Sequence, residues 1–330
     1  MASPWPTLFS LIHTLKGSLP FSPAPRSPNW ATVAMNDNMM LLETHALTKR
    51  YGSFTALDSL TFSVQPGEVV GLLGPNGSGK TTALRILMGF LRPTSGVARI
   101  AGHDSWTDSV EARKHVAYLP AELRLYENMT GRQLIRFLCD LRGVTVDEAI
   151  FPLARVFEID LDRPIANMSS GMKRKVAILQ VLAPRTPLVI MDEPTNALDP
   201  NMRDELVRQI ALARERGQAV LFSSHILHEV EQVCDRVIVL RRGQLVHAQT
   251  MAELQAGRLI NVRFEGQAPR PPVLPGLFER EHQADRVTLE YTGPLPPVLE
   301  WLAGQNVREL RMEPLGLNAI YYRFHGNPDE

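Results

Sequence analysis

Residues 68–82 contain the stretch that decides the fold. It reads Glu68-Val69-Val70-Gly71-Leu72-Leu73, followed by Gly74-Pro75-Asn76-Gly77-Ser78-Gly79-Lys80-Thr81-Thr82. The first six residues are typical of a buried strand, and Gly79 to about Phe90 has helical periodicity. The turn between them matches the pattern G-x-x-x-x-G-K-[ST], in which main-chain N–H groups surround a phosphate. A chance lysine in a glycine-rich turn is the weaker reading, because a strand precedes the turn and a helix follows it.

Each residue type in this loop has a physical role. Glycines let successive N–H groups turn inward without a Cβ clash, and the helix directs its N-terminal dipole at the same anion. We expect Lys80 to contact the β- and γ-phosphates and the Thr81 hydroxyl to bind Mg²⁺. The predicted ATP-binding residues here are Gly74, Pro75, Asn76, Gly77, Ser78, Gly79, Lys80, Thr81 and Thr82.

A second motif, Leu188-Val189-Ile190-Met191-Asp192-Glu193, is an apolar strand that ends in two carboxylates. An aspartate at such a strand end holds Mg²⁺ in enzymes with this phosphate-binding loop, so Asp192 is a candidate metal ligand. Glu193 is expected to face away from Asp192, because successive strand side chains alternate, and to orient and deprotonate a water molecule. The alternative, a solvated acidic turn before Pro194, is common for isolated Asp-Glu pairs.

The segment from Leu41 to about Leu254 alternates short β-rich runs with helical runs, which indicates an α/β domain. Further strands are expected at 97–101, 116–119, 188–191, 219–223 and 236–240, and helices at 131–142, 146–157, 171–182 and 201–216. Pro152 predicts that the second of these helices starts later or kinks.

Two flanking segments differ from this domain. Residues 1–40 are rich in proline without sustained periodicity, so we expect a disordered extension. Residues 255–330 are expected to form a small α+β accessory domain. Its strands are predicted at 258–264, 286–291 and 307–312, and its helices at 296–303 and 316–323.

Composition excludes several classes of protein. The chain has 35 Lys and Arg and 35 Asp and Glu among 330 residues, so its formal net charge of zero argues against a nucleic-acid partner held by a basic field. The two cysteines, Cys139 and Cys234, lack metal-ligand spacing, so neither a disulfide scaffold nor a zinc site is expected. No apolar run approaches the roughly 20 residues that a spanning helix needs.

Four further motifs give the chain a family resemblance. Met168-Ser169-Ser170-Gly171-Met172-Lys173 lies about 20 residues before the Asp-Glu strand. Asn196-Ala197-Leu198-Asp199 follows that strand, Ser223-Ser224-His225 follows another, and Tyr51 comes before the phosphate-binding loop. Singly, the first could be an ordinary N-cap, His225 a capping histidine and Tyr51 a core aromatic. Together, in this order over residues 41–254, they resemble the ATP-binding cassettes of ABC transporters.

The resemblance implies roles for these residues. Ser169, Ser170 and Gly171 resemble the family signature, which contacts the γ-phosphate of ATP bound to a second cassette. Asp199 resembles the acidic residue of the loop that crosses between the two subunits. His225 resembles the switch histidine that contacts the γ-phosphate, and Tyr51 the aromatic residue that stacks on adenine.

Three features depart from the family pattern or are ambiguous. Ala121 stands where the family usually has a magnesium-contacting glutamine, so either Glu122 substitutes as a ligand or the contact is lost. Ser170 and Met172 give the signature a form that resembles the subgroup serving drug, antibiotic and polysaccharide exporters with short membrane subunits. The basic run from Lys173 to Lys175 is either a solvated face or neutralises phosphate charge across the dimer.

The fold implied by the resemblance has a RecA-like core, an antiparallel β subdomain and a helical subdomain. The implied function is ATP hydrolysis, with Mg²⁺, that powers export through a separate transmembrane permease. Lys80 and His225 would stabilise charge on the transferred phosphoryl group while Glu193 activates water.

A second cassette, identical or different, is the expected partner, at the cytoplasmic face of the membrane. The alternatives are a non-transport cassette ATPase acting on a macromolecular complex, and a regulatory ATP-binding subunit with little turnover. The transported compound stays open.

Overall fold

The computed structural model describes residues 40–146, 148, 150–318 and 320–321. The predicted N-terminal extension therefore lies outside the described residues, apart from Met40. The strands are β1 Leu42–Tyr51, β2 Phe54–Val64, β3 Val69–Leu73, β4 Ser95–Ile100, β5 His103–Asp104, β6 Val116–Leu119, β7 Leu188–Asp192, β8 Ala219–Ser224, β9 Arg236–Arg241, β10 Gln244–Thr250, β11 Arg258–Phe264, β12 Leu277–His282, β13 Arg286–Tyr291 and β14 Val307–Pro314. The helices are α1 Lys80–Leu87, α2 Ser109–Lys114, α3 Gly131–Leu141, α4 Ile150–Val156, α5 Ser170–Leu182, α6 Pro200–Glu215, α7 Leu227–Val233, α8 Met251–Ala256 and α9 Leu295–Ala303, with a short 3₁₀ helix at Ile165–Asn167.

The central sheet has the strand order β10-β9-β3-β8-β7-β6. Its strands from β9 to β6 run parallel, and β10 joins the edge antiparallel. Every residue of β3, β7 and β8 is buried, as expected for parallel strands covered on both faces. The register pairs Leu73 with Ser224 and Asp192 with Ser223. The three strands therefore end side by side, at the sheet edge where α/β proteins bind ligands.

The helical part, from α3 to α5, follows the predicted pattern with shifted boundaries. Helix α3 begins at a capping box, in which Thr130 and Gln133 bond each other's main-chain N–H groups. Helix α4 begins at Ile150 rather than at residue 146, and Pro152 lies in its first turn, where no intrahelical N–H bond is lost. Both α3 and α4 pack against α5.

An antiparallel sheet of order β2-β1-β4-β5 packs against α1 and the central sheet in one buried cluster. Its strands β1 and β2 were not predicted individually. Their pairing has three register shifts, and Ala46 and Ser59 have positive φ angles of 47° and 52°. These irregularities interrupt the alternation of apolar and polar residues by which a strand is recognised in a sequence.

The C-terminal sheet has the order β12-β13-β11-β14 and is antiparallel throughout. Helix α9 packs on one face through Val298 and Leu302. Beyond β14 the chain returns to the cassette: Leu315, Leu317 and Ile320 belong to the same buried cluster as Val230 of α7 and Leu254 of α8. The helix predicted at 316–323 falls partly outside the described residues, although 317, 318, 320 and 321 are helical. Strand β12 was not predicted, because its residues are mostly exposed and show no apolar alternation.

Candidate active site

The loop from Gly74 to Gly79 joins β3 to α1 in a conformation that requires glycine. A Cβ atom on Gly74 would lie 2.4 Å from Ser78 Oγ and 2.5 Å from the Leu240 carbonyl oxygen. Gly79 has a φ angle of 108°, and a Cβ there would lie 2.8 Å from the carbonyl oxygen of Ala56. The glycine spacing of the motif therefore follows from close backbone approaches on both sides of the loop.

Lys80, the first residue of α1, points its side chain back into the loop. The side chain is 6% exposed. Its Nζ donates to the Gly74 carbonyl at 2.6 Å and to the Pro75 carbonyl at 3.4 Å, and it lies 3.5 Å from Glu193 Oε1. The ammonium charge is thus held inside the loop that the sequence predicts to bind phosphate.

Asp192 ends β7 and is completely buried. Its Oδ1 accepts a hydrogen bond of 2.6 Å from Ser223 Oγ, whereas Oδ2 has no hydrogen-bond partner among the described residues. A buried carboxylate oxygen without a partner is costly, and a divalent cation would satisfy it. A carboxylate and a threonine hydroxyl are hard oxygen ligands of the kind that Mg²⁺ prefers, so Asp192 and Thr81 fit a magnesium ion.

Glu193 lies just beyond β7 with a φ angle of 48°. Its N–H donates to Ser223 Oγ at 2.9 Å, and its Oε2 lies 2.7 Å from Nδ1 of His225. The direction of this side chain therefore comes from a left-handed turn, and not from the strand alternation assumed from the sequence. A left-handed conformation at a non-glycine residue costs about 1–3 kcal/mol and is concentrated at functional sites.

His225 follows β8, and its side chain is 54% exposed on the open side of the site. Through Glu193, the ring is connected to Lys80 of the loop after β3. The structure therefore brings together the three residues predicted to be catalytic, Lys80, Glu193 and His225. The arrangement can position a water molecule with the Glu193 carboxylate while the Lys80 ammonium faces the phosphate-binding loop.

The signature segment lies at the start of α5. Ser169 is the N-cap, and its Oγ accepts a hydrogen bond of 3.3 Å from Met172 N, so the ordinary capping role is present in the single chain. A Cβ on Gly171 would lie 2.9 Å from the Ala197 carbonyl. Asp199 caps α6 through Met202 N and lies 3.9 Å from Nζ of Lys175. The signature turn and the 196–199 loop thus pack together. The contact of Ser169, Ser170, Gly171 and Asp199 with a second cassette stays a prediction.

Residues 57–196 match the family model described as ABC transporter. The chain is 34% identical over 250 residues to the probable multidrug ABC transporter ATP-binding protein YbhF of Escherichia coli (strain K12). That alignment covers 73% of this chain and 43% of YbhF, so the chain spans less than half the length of that relative.

A second relative is matched over most of its length. The chain is 34% identical over 209 residues to the bacitracin transport ATP-binding protein BcrA of Bacillus licheniformis, an alignment that covers 62% of this chain and 68% of BcrA. This chain belongs to the ATP-binding subunits of ABC transporters. A solved structure of an ATP-binding subunit of an ABC transporter agrees with the fold: it superposes with a TM-score of 0.61 at 32% identity, covering 65% of this chain and 92% of that one.

Two of the residues predicted for this ABC subunit, Tyr51 and Glu122, are exposed. Tyr51 ends β1, is 50% exposed, and has Lys49 Nζ 5.0 Å from its ring centroid. The following strand β2 places Ala56 against Gly79 of the loop, which anchors the hairpin that carries Tyr51. Glu122 is exposed on the segment after β6. Adenine stacking by Tyr51 and magnesium binding by Glu122 both stay predictions.

Three buried polar residues of the ABC site were missed or misread from the sequence. Ser223 bonds both Asp192 and Glu193. Glu229 of α7 accepts from Thr195 and Ser224, and burial raises its pKa. Arg174, assigned to a solvated or phosphate-neutralising basic run, is instead 2% exposed and bonded to main-chain carbonyls. Burial lowers the pKa of this guanidinium, and the charges of Asp192 and Glu193 oppose that shift. The serine could have been found from its place in the strand before His225; neither other residue has a local sequence signal.

Among the described helices of this ABC subunit, none combines the length and the apolar character that crossing a bilayer requires.

Proposed function

We propose that this ABC subunit binds ATP with Mg²⁺, hydrolyses it, and powers export of a substrate through a separate transmembrane subunit. The observation that carries the proposal is the position of the Glu193 carboxylate. It lies 2.7 Å from Nδ1 of His225 and 3.5 Å from Nζ of Lys80. The preceding residue, Asp192, has a buried carboxylate oxygen without a hydrogen-bond partner among the described residues. A nucleotide triphosphate and a divalent cation account for all of these groups.

Binding would begin at the loop between β3 and α1. Main-chain N–H groups from Gly74 to Thr82 would contact the phosphates, and Lys80 would exchange the Gly74 carbonyl for phosphate oxygens. Thr81 and Asp192 would hold Mg²⁺, which when bound supplies positive charge to the β- and γ-phosphates. Tyr51 would stack on the adenine ring.

Hydrolysis would then depend on the Glu193 carboxylate. Glu193 orients a water molecule and accepts its proton as the water attacks the γ-phosphorus, and the bond to the β-phosphate oxygen breaks. His225 would keep one carboxylate oxygen in place through a hydrogen bond donated by Nδ1, and its ring would contact the γ-phosphate. Charge on the transferred group is stabilised by Lys80 and His225.

A second cassette, identical or different, would complete the site by placing its Ser169–Gly171 against the γ-phosphate. Ser169 and Ser170 are exposed, as such a contact needs. Exclusion of water between the two cassettes would strengthen every charge interaction in the site. Loss of the γ-phosphate would let the two cassettes separate.

Export is supported by what the relatives are called: one is a probable multidrug transporter subunit and another a bacitracin transport subunit. The chain would work peripherally at the cytoplasmic face of a membrane, held by the transmembrane subunit. The surface formed by Ala121–Asn128 would transmit the motion of the cassettes.

The test is phosphate release by the purified chain, alone and with the membrane proteins that co-purify with it from native membranes. We expect magnesium-dependent release and a change in its rate when the membrane partner is present. Release that no membrane protein alters, with no membrane protein retained, would contradict the transport assignment. Absence of release in both settings would contradict the whole proposal.

A further inference from the structure

Arg174 of α5 has an unusual set of partners. A guanidinium group has five N–H donors, and all five are used in this protein by main-chain carbonyl oxygens. Nε donates to Pro194 at 3.1 Å, Nη1 to Pro120 at 2.8 Å and Ala121 at 3.3 Å, and Nη2 to Asp192 at 3.3 Å and to Glu193. One buried side chain therefore connects the segment after β6 to the segment after β7.

The second of these segments contains the proposed general base. Glu193 has its N–H bonded to Ser223 and its carbonyl bonded to Arg174, with a left-handed φ of 48° between the two. Such a conformation persists only where surrounding bonds over-determine it. Arg174 and Ser223 provide those bonds from opposite sides of the residue, and the resulting turn directs the carboxylate toward Lys80 and His225.

Stability alone is a poor reason for this arrangement. Burying a guanidinium carries a large desolvation cost, and apolar replacements of buried charges are often neutral or stabilising in other proteins. The planar fork of five donors has no equivalent in lysine, whose ammonium has three donors at one point, or in glutamine, which has two. The guanidinium of Arg174 can therefore hold several main-chain carbonyl groups in fixed orientations at the same time.

We propose that Arg174 is a positioning residue that holds Glu193 in the orientation required for hydrolysis. This rests on the proposed ATPase function, and it adds a residue that bonds main-chain carbonyl oxygens of the site. Because the same guanidinium bonds Pro120 and Ala121, a displacement of the segment after β6 reaches the Glu193 turn through one rigid group.

The experiment compares Arg174→Lys and Arg174→Gln with wild type in the full chain, by kcat, by KM for ATP and by thermal melting. We expect kcat to fall about 10- to 100-fold, because small misplacements of a catalytic group have effects of this size. The KM for ATP should stay within about threefold, because the phosphate-binding loop does not contact Arg174. Arg174→Lys should retain more activity than Arg174→Gln.

Arg142 gives a matched control. Its Nη2 also donates to main-chain carbonyls, those of Arg113 at 3.0 Å and Val116 at 2.5 Å, but at the opposite end of β6 from Pro120. Arg142→Lys removes similar bonds away from Glu193 and should leave kcat unchanged. If Arg142→Lys lowers kcat as much as Arg174→Lys does, the effect is structural and the proposal is overturned.

A double mutant separates positioning from general damage. If Arg174 acts through Glu193, Arg174→Lys should not further lower the residual hydrolysis of Glu193→Gln; additive losses would overturn the proposal. If both Arg174 variants fail to fold, Ser223→Ala removes the bond to the Glu193 N–H, together with the bond to Asp192, and should lower kcat; an unchanged kcat would show that the Glu193 turn needs no such bonds and would overturn the proposal. A wild-type chain without hydrolysis contradicts the proposed function, whereas an active wild type matched by active Arg174 variants contradicts only this inference.

Discussion

The carboxyl edge of the central sheet and the C-terminal sheet differ in whether their polar groups have partners. At the first, Asp192 Oδ2 and Ser78 Oγ are buried without a hydrogen-bond partner in the described residues, and Glu193 is held in a left-handed turn. At the second, surface charges are paired, as in Arg263 with Asp285 at 2.7 Å and Arg311 with Glu313 at 2.5 Å. Buried polar groups without a hydrogen-bond partner at a sheet edge indicate a ligand-binding site, whereas surface charges that are already paired do not require a ligand.

The largest effect should come from the same change made in each region. Glu193→Gln keeps the shape of the side chain but removes its basicity, so phosphate release should fall about 100- to 10,000-fold while ATP still binds. Glu309→Gln, on the exposed strand β14, should leave the rate unchanged. Phosphate release and ATP binding, measured on both variants, check this. Rapid turnover by Glu193→Gln would remove Glu193 from the role of base.

A smaller effect is expected when a lysine is removed from each setting. Lys80→Ala deletes a charge buried in the phosphate-binding loop, so the Kd for ATP should rise about 10- to 100-fold, as expected for charge-assisted bonds. Lys114 pairs with Glu111 on the surface, and Lys114→Ala should bind ATP like wild type. Titration with a fluorescent ATP analogue measures both. Normal binding by Lys80→Ala would mean that the loop is misassigned.

The two regions are not independent, because the chain beyond β14 packs on the cassette. Leu317 is completely buried in the cassette cluster, and its N–H donates to Glu231 of α7. Leu317→Ala should therefore lower the free energy of unfolding of the cassette by about 2–5 kcal/mol, measured by urea denaturation. Leu310→Ala, at a position 42% exposed, should cost well under half as much. Equal costs would show that the C-terminal segment does not stabilise the cassette.

The smallest effect is a difference in pH dependence between the regions. Burial raises the pKa of Glu229 from 4.5, so the folded chain binds this proton more tightly than the unfolded chain, and the stabilisation is lost as pH rises through the raised pKa. The hydrogen bond from Arg263 lowers the pKa of exposed Asp285 from 3.8, although its partial desolvation opposes this, so that contribution is lost as pH falls.

Thermal melting across pH 3–8 (an approximate window set by ordinary carboxyl pKa values) checks this contrast. The melting temperature of the wild type minus that of Glu229→Gln should decrease as pH rises above about 4.5. The melting temperature of the wild type minus that of Asp285→Asn should decrease as pH falls below about 4. If both differences in melting temperature changed in the same direction with pH, the contrast between the two regions would be contradicted.

The part of the site predicted from the sequence is the part written in short, continuous motifs. The loop from Gly74 to Thr82 and the Asp192-Glu193 pair each follow an apolar strand, and parallel strands bring their ends to one edge. His225 was recognised by resemblance and lies at the same edge. The irregular strands β1 and β2 were not predicted, because positive φ angles at Ala46 and Ser59 break their alternation.

The role of Arg174 was out of reach for a different reason. Its carbonyl partners lie 18 to 20 residues away near Asp192–Pro194, and 53 or 54 residues away at Pro120 and Ala121. Burial of a basic residue among main-chain carbonyls depends on tertiary packing, and a run of three basic residues ordinarily indicates an exposed face. The left-handed turn at Glu193 has the same origin, since Ser223 comes from a neighbouring strand.

The most direct test of the central claim is phosphate release from ATP by the purified wild-type chain over a range of protein concentrations, with magnesium and with EDTA. We expect release that requires magnesium and rises more steeply than in proportion to protein, because two cassettes must close on each ATP. Absence of release at every concentration in magnesium, with the membrane partner also supplied, would contradict it.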